Sequence, residues 1–245
     1  MSTLTGKIAL VTGGSRGIGA AVARTLAAKG ADVAITYAHN KDQAEQVATD
    51  LREQGVRALT LRLDVTQADE ITAVVDETVR ELGKLDILVN NAGYMTPRGD
   101  EPTLEQVDQL LDTNTRGAYL VAQAAAKHLG DGGRIINLGS ILGSRVPRAG
   151  VTLYAMSKAA ITGLTKGLSR DLGDRGITVN EVAPGPTNTD MNPADGPQAD
   201  GQRARTALGR YGEPAELAAT VAFLASPEAA FITGSTITVD GGTNA

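Results

Sequence analysis

Seven apolar, β-rich runs alternate with six amphipathic segments, and this alternation limits the possible folds more than any other feature of the chain. The runs are KIALVT, ADVAITYA, RALTLRLDV, LDILVNNAG, GRIINLGS, GITVNEVAPG and STITVDGG. Strands that alternate with helices form right-handed βαβ units, which build a parallel sheet covered by helices on both faces. We therefore predict an α/β fold with a doubly wound, seven-stranded parallel sheet. In such a fold, ligands bind outside the carboxyl ends of the strands.

Length and composition suit one domain and exclude several kinds of chemistry. The chain has 245 residues, and no shift in composition marks a boundary within residues 1–245. It contains no cysteine, which excludes thiolate catalysis, and its two histidines, His39 and His128, lack metal-ligand spacing. The net charge of -5 and the absence of a long apolar run predict neither a nucleic-acid nor a membrane partner. Without a secretory signal pattern, we expect a cytoplasmic protein that binds small molecules.

The stretch TGGSRGIG, residues 12–19, stands between the first strand and the first helix. Glycine tolerates positive φ and lets a phosphate approach the backbone, while a helix N-terminus supplies unpaired N–H groups and partial positive charge. In this strand–turn–helix context, Gly13, Gly17 and Gly19 predict a cradle for a pyrophosphate. The fold is therefore expected to be a single-domain, Rossmann-like sheet with helices on both faces.

The spacing T-G-x-x-x-G-x-G resembles the short-chain dehydrogenase/reductase family, and further motifs extend this resemblance over nearly the whole chain. These motifs are Asp64, Asn90-Asn91-Ala92-Gly93, Asn114, Ser140, Tyr154-x-x-x-Lys158, Pro184-Gly185 and Thr238-Val239-Asp240-Gly241-Gly242. The resemblance implies an oxidoreductase that transfers hydride between a nicotinamide nucleotide and a carbonyl or alcohol. We expect a cofactor half at about 1–130 and a catalytic half at about 131–245.

The end of the second strand predicts which nicotinamide nucleotide binds. A site selective for NAD places a carboxylate there to hold the ribose 2′-hydroxyl. This sequence has Tyr37 and Ala38 at that point, and Asp32 lies at the other end of the strand. Arg16 in the glycine turn is placed to bind a 2′-phosphate, with help from His39, Asn40 or Lys41. NADP(H) is therefore expected to be preferred over NAD(H).

The resemblance assigns further cofactor contacts. Asp64 is expected to accept a hydrogen bond from the adenine amine, and Asn91 to Gly93 to line the adenosine ribose. Pro184 and Gly185 begin the stretch at the nicotinamide, whose carboxamide is assigned to Thr189, with Thr187 as a second candidate. The full expected set is Gly13, Ser15, Arg16, Gly17, Ile18, Gly19, Tyr37, His39, Asp64, Val65, Asn91, Ala92, Gly93, Tyr154, Lys158, Pro184, Gly185, Thr187 and Thr189.

Tyr154 and Lys158 lie four residues apart in a segment with helical periodicity, so their side chains share one face. A nearby ammonium favours tyrosinate, so we expect a lowered pKa for Tyr154 and a role as acid and base. As the resemblance implies, Tyr154 exchanges a proton with the carbonyl oxygen and Lys158 binds the nicotinamide ribose. In the same way, Ser140 orients the carbonyl and Asn114 holds a water chain behind Lys158.

A polar stretch rich in Pro, Gly, Asp and Asn, residues 186–209, is expected to be a long loop that closes over the site as a lid. The substrate pocket is expected to be formed by the lid with Tyr94, Met95, Ile141, Leu142 and Val146. These mainly apolar walls favour a neutral ketone or β-keto ester, and only Arg145 or Arg148 offers a clamp for a carboxylate.

Two other functions remain open. The overall pattern resembles 3-oxoacyl carrier-protein reductases, although HLGDGG stands where those enzymes carry basic residues, and Arg170 and Arg175 are the remaining basic pair. The lid sequence DMNPADGP resembles that of relatives that bind a cyclic dinucleotide and regulate biofilm dispersal. The family resemblance also implies a homotetramer, built by helices at about 103–129 and 152–173.

Overall fold

The computed structural model describes residues 4–96 and 101–245 of the chain. Its strands are β1 Ile8–Val11, β2 Asp32–Tyr37, β3 Ala58–Arg62, β4 Leu85–Asn90, β5 Leu129–Leu138, β6 Thr178–Pro184 and β7 Thr236–Val239. They form one parallel sheet in the order β3-β2-β1-β4-β5-β6-β7. The expected doubly wound, seven-stranded parallel sheet is confirmed.

Helices cover both faces of the sheet. They are α1 Gly17–Ala28, α2 Lys41–Glu53, α3 Ala68–Leu82, α4 Leu104–Leu111, α5 Ala118–His128, α6 Thr152–Asp171, α7 Ala199–Arg203 and α8 Pro214–Leu224. On β1, Val11 belongs to the apolar layer under α1, α2 and α8, and Leu10 to the layer under α3 and α5. Because both faces are buried, β1 is apolar throughout and does not alternate with polar residues.

The order of the strands reverses between β1 and β4, which pair directly. The loops that follow these two strands therefore diverge to opposite faces and leave a crevice at the carboxyl ends, where doubly wound folds bind ligands. Thr12 joins the two loops: its Oγ1 donates to Val89 O and accepts from the N–H groups of Asn91 and Ala92.

The helix expected at about 103–129 is interrupted. A π-helical turn, Asp112–Gly117, separates α4 from α5. A Cβ atom at Gly117 would lie 2.6 Å from Val65 O, so the missing side chain lets this loop pack against the turn. The second expected helix, at about 152–173, is α6 and ends at Asp171.

Candidate active site

The glycine turn leads from β1 into α1. Gly17 has a φ of 54°, in the left-handed region, and a Cβ atom at Gly19 would lie 2.3 Å from Gly13 O. Glycine is therefore required at both positions for steric reasons. Arg16 is the N-cap of α1 but provides no side-chain cap, so the first N–H groups of this helix remain available to an anion.

A cavity of about 740 Å³ opens at the crevice between the loops after β1 and β4. All the expected cofactor residues line it, as do Ser140, Tyr154 and Lys158. Asn114 does not line it and lies buried behind the wall. The chain thus brings the glycine turn and the Tyr–Lys pair to one cavity, although they are more than a hundred residues apart.

Tyr154 and Lys158 project from the first half of α6, one helical turn apart. Lys158 Nζ donates to Leu138 O at 2.9 Å and lies 5.8 Å from the centroid of the Tyr154 ring. Ser140 follows β5, and its hydroxyl makes a hydrogen bond with Tyr154 while accepting from Leu142 N–H. A hydroxyl, a phenol and an ammonium therefore converge, as proton transfer to a carbonyl oxygen requires.

The expected lowering of the Tyr154 pKa is wrong for the chain by itself. Burial raises the pKa of Tyr154 to about 12, against the lowering effect of its hydrogen bond with Ser140. Burial lowers the pKa of Lys158 to about 8, against the raising effect of the Glu181 carboxylate. The reason is that a low-dielectric environment disfavours the charged form of both groups, and Lys158 directs its ammonium at a carbonyl instead of the phenol oxygen.

Asn114 lies in the π-helical turn and fixes the loop after β4. Its Oδ1 accepts from Tyr94 N–H at 2.7 Å, and its Nδ2 donates to Tyr94 O at 2.8 Å. The same amide donates to the Ser157 hydroxyl on α6 at 3.1 Å. These contacts occupy the Asn114 amide with protein groups and hold the loop at the cavity wall beside Lys158.

The end of the cavity at β2 offers no carboxylate from that strand. Tyr37, Ala38, His39 and Asn40 line it, whereas Asp32 starts the strand at the opposite end and pairs with Arg57 Nη2 at 2.7 Å. Lys41 is not among the lining residues, so of the expected helpers only the histidine and asparagine lie at the cavity.

Arg16 lines the cavity from the glycine turn, and its guanidinium lies 3.5 Å from Asp190 Oδ2 of the lid. Both side chains are more than half exposed, at 54% and 62%. A pair this exposed contributes little stability, about 0–1 kcal/mol. Arg16 is therefore able to leave Asp190 for an anionic ligand at low cost.

Two of the other expected cofactor residues also support the loops. Asp64 Oδ1 accepts from the N–H and hydroxyl of Thr66, which orders the loop after β3. Asn91 Nδ2 donates to the carbonyls of Thr12 and Gly13, so its side chain ties the loop after β4 to the glycine turn.

Residues 186–209, the lid, are more ordered than a long loop. They contain α7, and the Asn192 and Gln202 amides make two reciprocal hydrogen bonds of 3.0 and 2.8 Å. Thr187 Oγ1 donates to Gly185 O, while a Cβ atom at Gly17 would lie 3.5 Å from Thr189 Cγ2. The start of the lid thus lies directly over the glycine turn.

The expected substrate wall needs two corrections. Val146 does not line the cavity and is exposed, whereas the next two residues, Pro147 and Arg148, do line it. Arg145 Nη1 donates to Thr243 O and so ties its loop to the C-terminal segment. The expected lid contributes Met191, Gln202 and Arg205 to the lining. Sequence reasoning missed lining residues from α4, the π-helical turn and the C-terminus: Gln109, Thr113 and Thr243.

The described residues contain neither a metal site nor a membrane-spanning helix. No group of three or more His, Asp or Glu side chains in residues 4–96 and 101–245 is arranged to hold a metal ion. In the same ranges, no helix has the length and apolar character needed to cross a membrane.

Comparison with known proteins identifies the family. A family model described as enoyl-(acyl carrier protein) reductase matches residues 13–244. A crystal structure of a short chain dehydrogenase from Burkholderia cenocepacia J2315, in complex with NADP, has a TM-score of 0.97 and 53% identity and covers 99% of both chains. The chain belongs to the short-chain dehydrogenase/reductase family. The resemblance stated from the glycine turn and the Tyr–Lys pair is therefore confirmed.

Two curated relatives within this family carry different functions in their names. A cyclic-di-GMP-binding biofilm dispersal mediator protein of Escherichia coli (strain K12) is 45% identical over 98% of both chains. A 3-oxoacyl-[acyl-carrier-protein] reductase of Staphylococcus aureus (strain N315) is 42% identical over 96% of this chain and 97% of its own. Membership of the short-chain dehydrogenase/reductase family thus gives an oxidoreductase fold and chemistry. It does not identify the substrate, which has to be inferred from the site.

Proposed function

We propose that this short-chain dehydrogenase/reductase is an NADPH-dependent carbonyl reductase that reversibly converts a ketone or β-keto ester into a secondary alcohol. The observation that carries the proposal is the convergence of Ser140, Tyr154 and Lys158 on the cavity that also contains the glycine turn. At a bound carbonyl group, Ser140 offers a hydrogen-bond donor, Tyr154 a proton donor and Lys158 a cation. A protein that only binds nucleotides has no need of this set.

The lining of the cavity suits a nicotinamide dinucleotide that carries a 2′-phosphate. The close contact at Gly19 and the uncapped N-terminus of α1 provide a cradle that a side chain would fill. Arg16 supplies a cation for a 2′-phosphate, and the β2 end provides no carboxylate for a 2′-hydroxyl. The expected preference for NADP(H) agrees with the similar Burkholderia structure, which is in complex with NADP.

In the proposed reaction, Ser140 donates a hydrogen bond to the substrate carbonyl and holds it beside Tyr154. Tyr154 donates its phenolic proton to the carbonyl oxygen during reduction and removes it from the alcohol during oxidation. Lys158, fixed by Leu138 O, holds the nicotinamide ribose and offsets the charge left on the phenol. NADPH, when bound, supplies the hydride, and its oxidised ring supplies positive charge that favours tyrosinate.

The substrate class follows from the remaining walls of the cavity. They include Tyr94, Met95, Ile141, Leu142 and Met191, which are apolar or aromatic. Arg145 donates to Thr243 O, whereas Arg148, the other expected clamp, lines the cavity. The predominance of apolar and aromatic side chains in these walls supports a neutral substrate over a keto acid. We also propose that the chain has a cofactor half at about 1–130 and a catalytic half at about 131–245. In addition, we propose that the lid closes over the cofactor. If NADPH did not protect residues 186–209 from limited proteolysis, the closure proposal would be wrong.

Reduction of a carrier-bound 3-oxoacyl group is the first alternative, supported by the Staphylococcus relative. A carrier protein is acidic and needs basic residues near the cavity mouth. Arg175, one of the expected pair, donates to Ala126 O and Leu129 O instead, so its guanidinium is held inward. The free ketone therefore remains the favoured substrate.

Binding of a cyclic dinucleotide for regulation is the second alternative, supported by the Escherichia coli relative. One assay separates the three functions: NADPH oxidation with an aryl ketone, a β-keto ester and a β-ketoacyl thioester, alongside calorimetry with cyclic-di-GMP. We expect turnover of the first two substrates. Tight cyclic-di-GMP binding without turnover of any carbonyl compound would reject the reductase, and turnover of the thioester alone would favour the carrier-protein role.

The family resemblance also supports a homotetramer that resides in the cytoplasm. Tyr119 and Met156 lie half exposed on α5 and α6, the two elements expected at the subunit contact. Light scattering after size exclusion tests this state, and a monomer at micromolar concentration would reject it.

A further inference from the structure

A buried carboxylate on β6 takes no part in the proposed reaction. Glu181 is 1% exposed and lies between Asn180 and Val182 on the strand. Its Oε2 accepts from the hydroxyls of Thr162 on α6 and Thr236 on β7, both at 2.8 Å. An ionised carboxylate is costly to bury, and two neutral hydroxyls repay only part of that cost. A buried charge at this position needs a further partner.

The carboxylate lies beneath the Tyr–Lys pair. Tyr154, Lys158 and Thr162 follow at intervals of four residues on α6 and therefore share one face. Thr162 holds Glu181, and the Lys158 ammonium is bound to Leu138 O. The residue after Leu138 is Gly139, the position at which Glu181 fills the space of a missing side chain.

The contacts around Gly139 limit the distance between the two charges. A Cβ atom at Gly139 would lie 1.8 Å from Glu181 Oε1, and Lys158 Nζ lies 2.9 Å from the preceding carbonyl oxygen. Adding standard backbone dimensions places Nζ within about 9 Å of Oε1. Within a protein interior, charges at that separation are coupled strongly enough to change the protonation of one another.

We propose that Glu181 is a positioning residue whose carboxylate keeps the buried Lys158 side chain in its ammonium form, ready to act on Tyr154 and the cofactor. The positioning role of Glu181 rests on the proposed reductase function. The coupling between Glu181 and Lys158 is inferred from their geometry and does not depend on that function. The proposal also explains why a glycine follows Leu138: any side chain at Gly139 would displace the carboxylate.

Among the described residues around Lys158, Glu181 is the group that can compensate the charge of the ammonium. On α6 the titratable neighbour is Tyr154, and the loop after β4 brings Gly93 close and places Tyr94 at the same cavity. The end of β5 presents the carbonyl of Leu138, and the π-helical turn presents the neutral Asn114 amide. Burial lowers the pKa of Lys158 to about 8, and Glu181 is the group that opposes this lowering.

Glu181→Gln tests the proposal because it removes the charge and keeps the shape and an acceptor oxygen. The readout is the 13Cε signal of Lys158 in protein labelled with 13C-lysine, assigned with Lys158→Arg and titrated with pH. One unit charge at up to about 9 Å and an effective dielectric constant of about 20 shifts such a midpoint by about one pH unit. We expect the Lys158 midpoint to fall by that amount in Glu181→Gln.

Matched controls separate the charge from the structural role of this position. Thr162→Val removes a hydrogen bond and keeps the carboxylate, so the Lys158 midpoint should stay within about 0.3 pH unit of the wild type. Glu181→Asp keeps the charge, so the Lys158 midpoint in this variant should stay close to that of the wild type. Glu181→Val, which suits a buried strand, replaces the glutamine variant if that variant does not fold.

The outcomes are distinct. An unchanged midpoint in Glu181→Gln or Glu181→Val, or an equal fall in Thr162→Val, overturns the proposal. If the reductase is active, the pH profile of kcat in Glu181→Gln should lose activity on its alkaline side at lower pH than the wild type. If no carbonyl substrate is turned over, the proposed function fails, while the titration of Lys158 still decides the coupling.

Discussion

Arg16→Gln removes the cation that we assign to the 2′-phosphate and leaves the glycine turn intact. The side chain is 54% exposed and belongs to no buried network, since its ion pair in the structure is with the exposed Asp190. The variant should therefore fold as the wild type does. Its effect should be confined to a ligand that carries the phosphate.

The magnitude follows from two opposing contributions. A hydrogen bond between charged groups contributes about 1.5–3 kcal/mol, and solvent exposure favours the lower part of that range. Release of the Asp190 pair costs about 0–1 kcal/mol. The difference, about 0.5–2 kcal/mol, corresponds to a Kd for NADPH that is about 2- to 30-fold weaker. The Kd for NADH, which lacks the phosphate, should change by less than about twofold.

The assay is calorimetric or fluorescence titration of both nucleotides at two salt concentrations. Lys41→Gln is the matched control, because this exposed lysine follows the same end of β2 but does not line the cavity. Asp190→Asn should tighten NADPH binding by up to about fivefold, since it removes the competing carboxylate. Equal weakening of NADPH and NADH in Arg16→Gln would refute the assignment of Arg16 to the phosphate.

Two further predictions concern the turn and the buried lysine. Gly19→Ala places a methyl group 2.3 Å from Gly13 O and should weaken NADPH binding more than tenfold with a fall in Tm, whereas Gly173→Ala, which meets no atom within 4 Å, should change neither. Lys158→Met should change the pH dependence of the Tm, because burial lowers the pKa of the wild-type lysine to about 8, below its unfolded value of about 10.4. The unfolded chain binds more protons between these values, so wild-type stability rises there with pH. The Tm of the variant relative to the wild type should therefore fall from about pH 8 to pH 10, and a constant difference would contradict this reasoning.

The sheet and the cofactor crevice were predictable because their signals are local. An apolar run predicts a buried parallel strand wherever it occurs, and TGGSRGIG contains its own steric requirement in Gly13, Gly17 and Gly19. Since parallel strands end at the same edge, the residues after each strand had to meet there. The roles of these residues at a bound cofactor remain predictions.

The features that were not predicted depend on contacts between distant segments. The π-helical turn at Asp112–Gly117 requires Val65 to pack against Gly117, and nothing in the local sequence marks it. The prediction for the pKa of Tyr154 was wrong because the sequence spacing indicates the nearby charge of Lys158 but contains no information on burial. Glu181 was read as part of an apolar strand, and only the structure shows that Gly139 makes room for it.

The central claim is that Tyr154 exchanges the proton with the substrate carbonyl. Tyr154→Phe removes one hydroxyl from a partly buried ring and should leave the Kd for NADPH within about threefold of the wild type. The most direct test is NADPH oxidation with an aryl ketone and a β-keto ester by the two proteins at equal cofactor saturation. The account predicts wild-type turnover and a fall in kcat/KM of at least about 100-fold in the variant. A phenylalanine variant that retains wild-type turnover would contradict it.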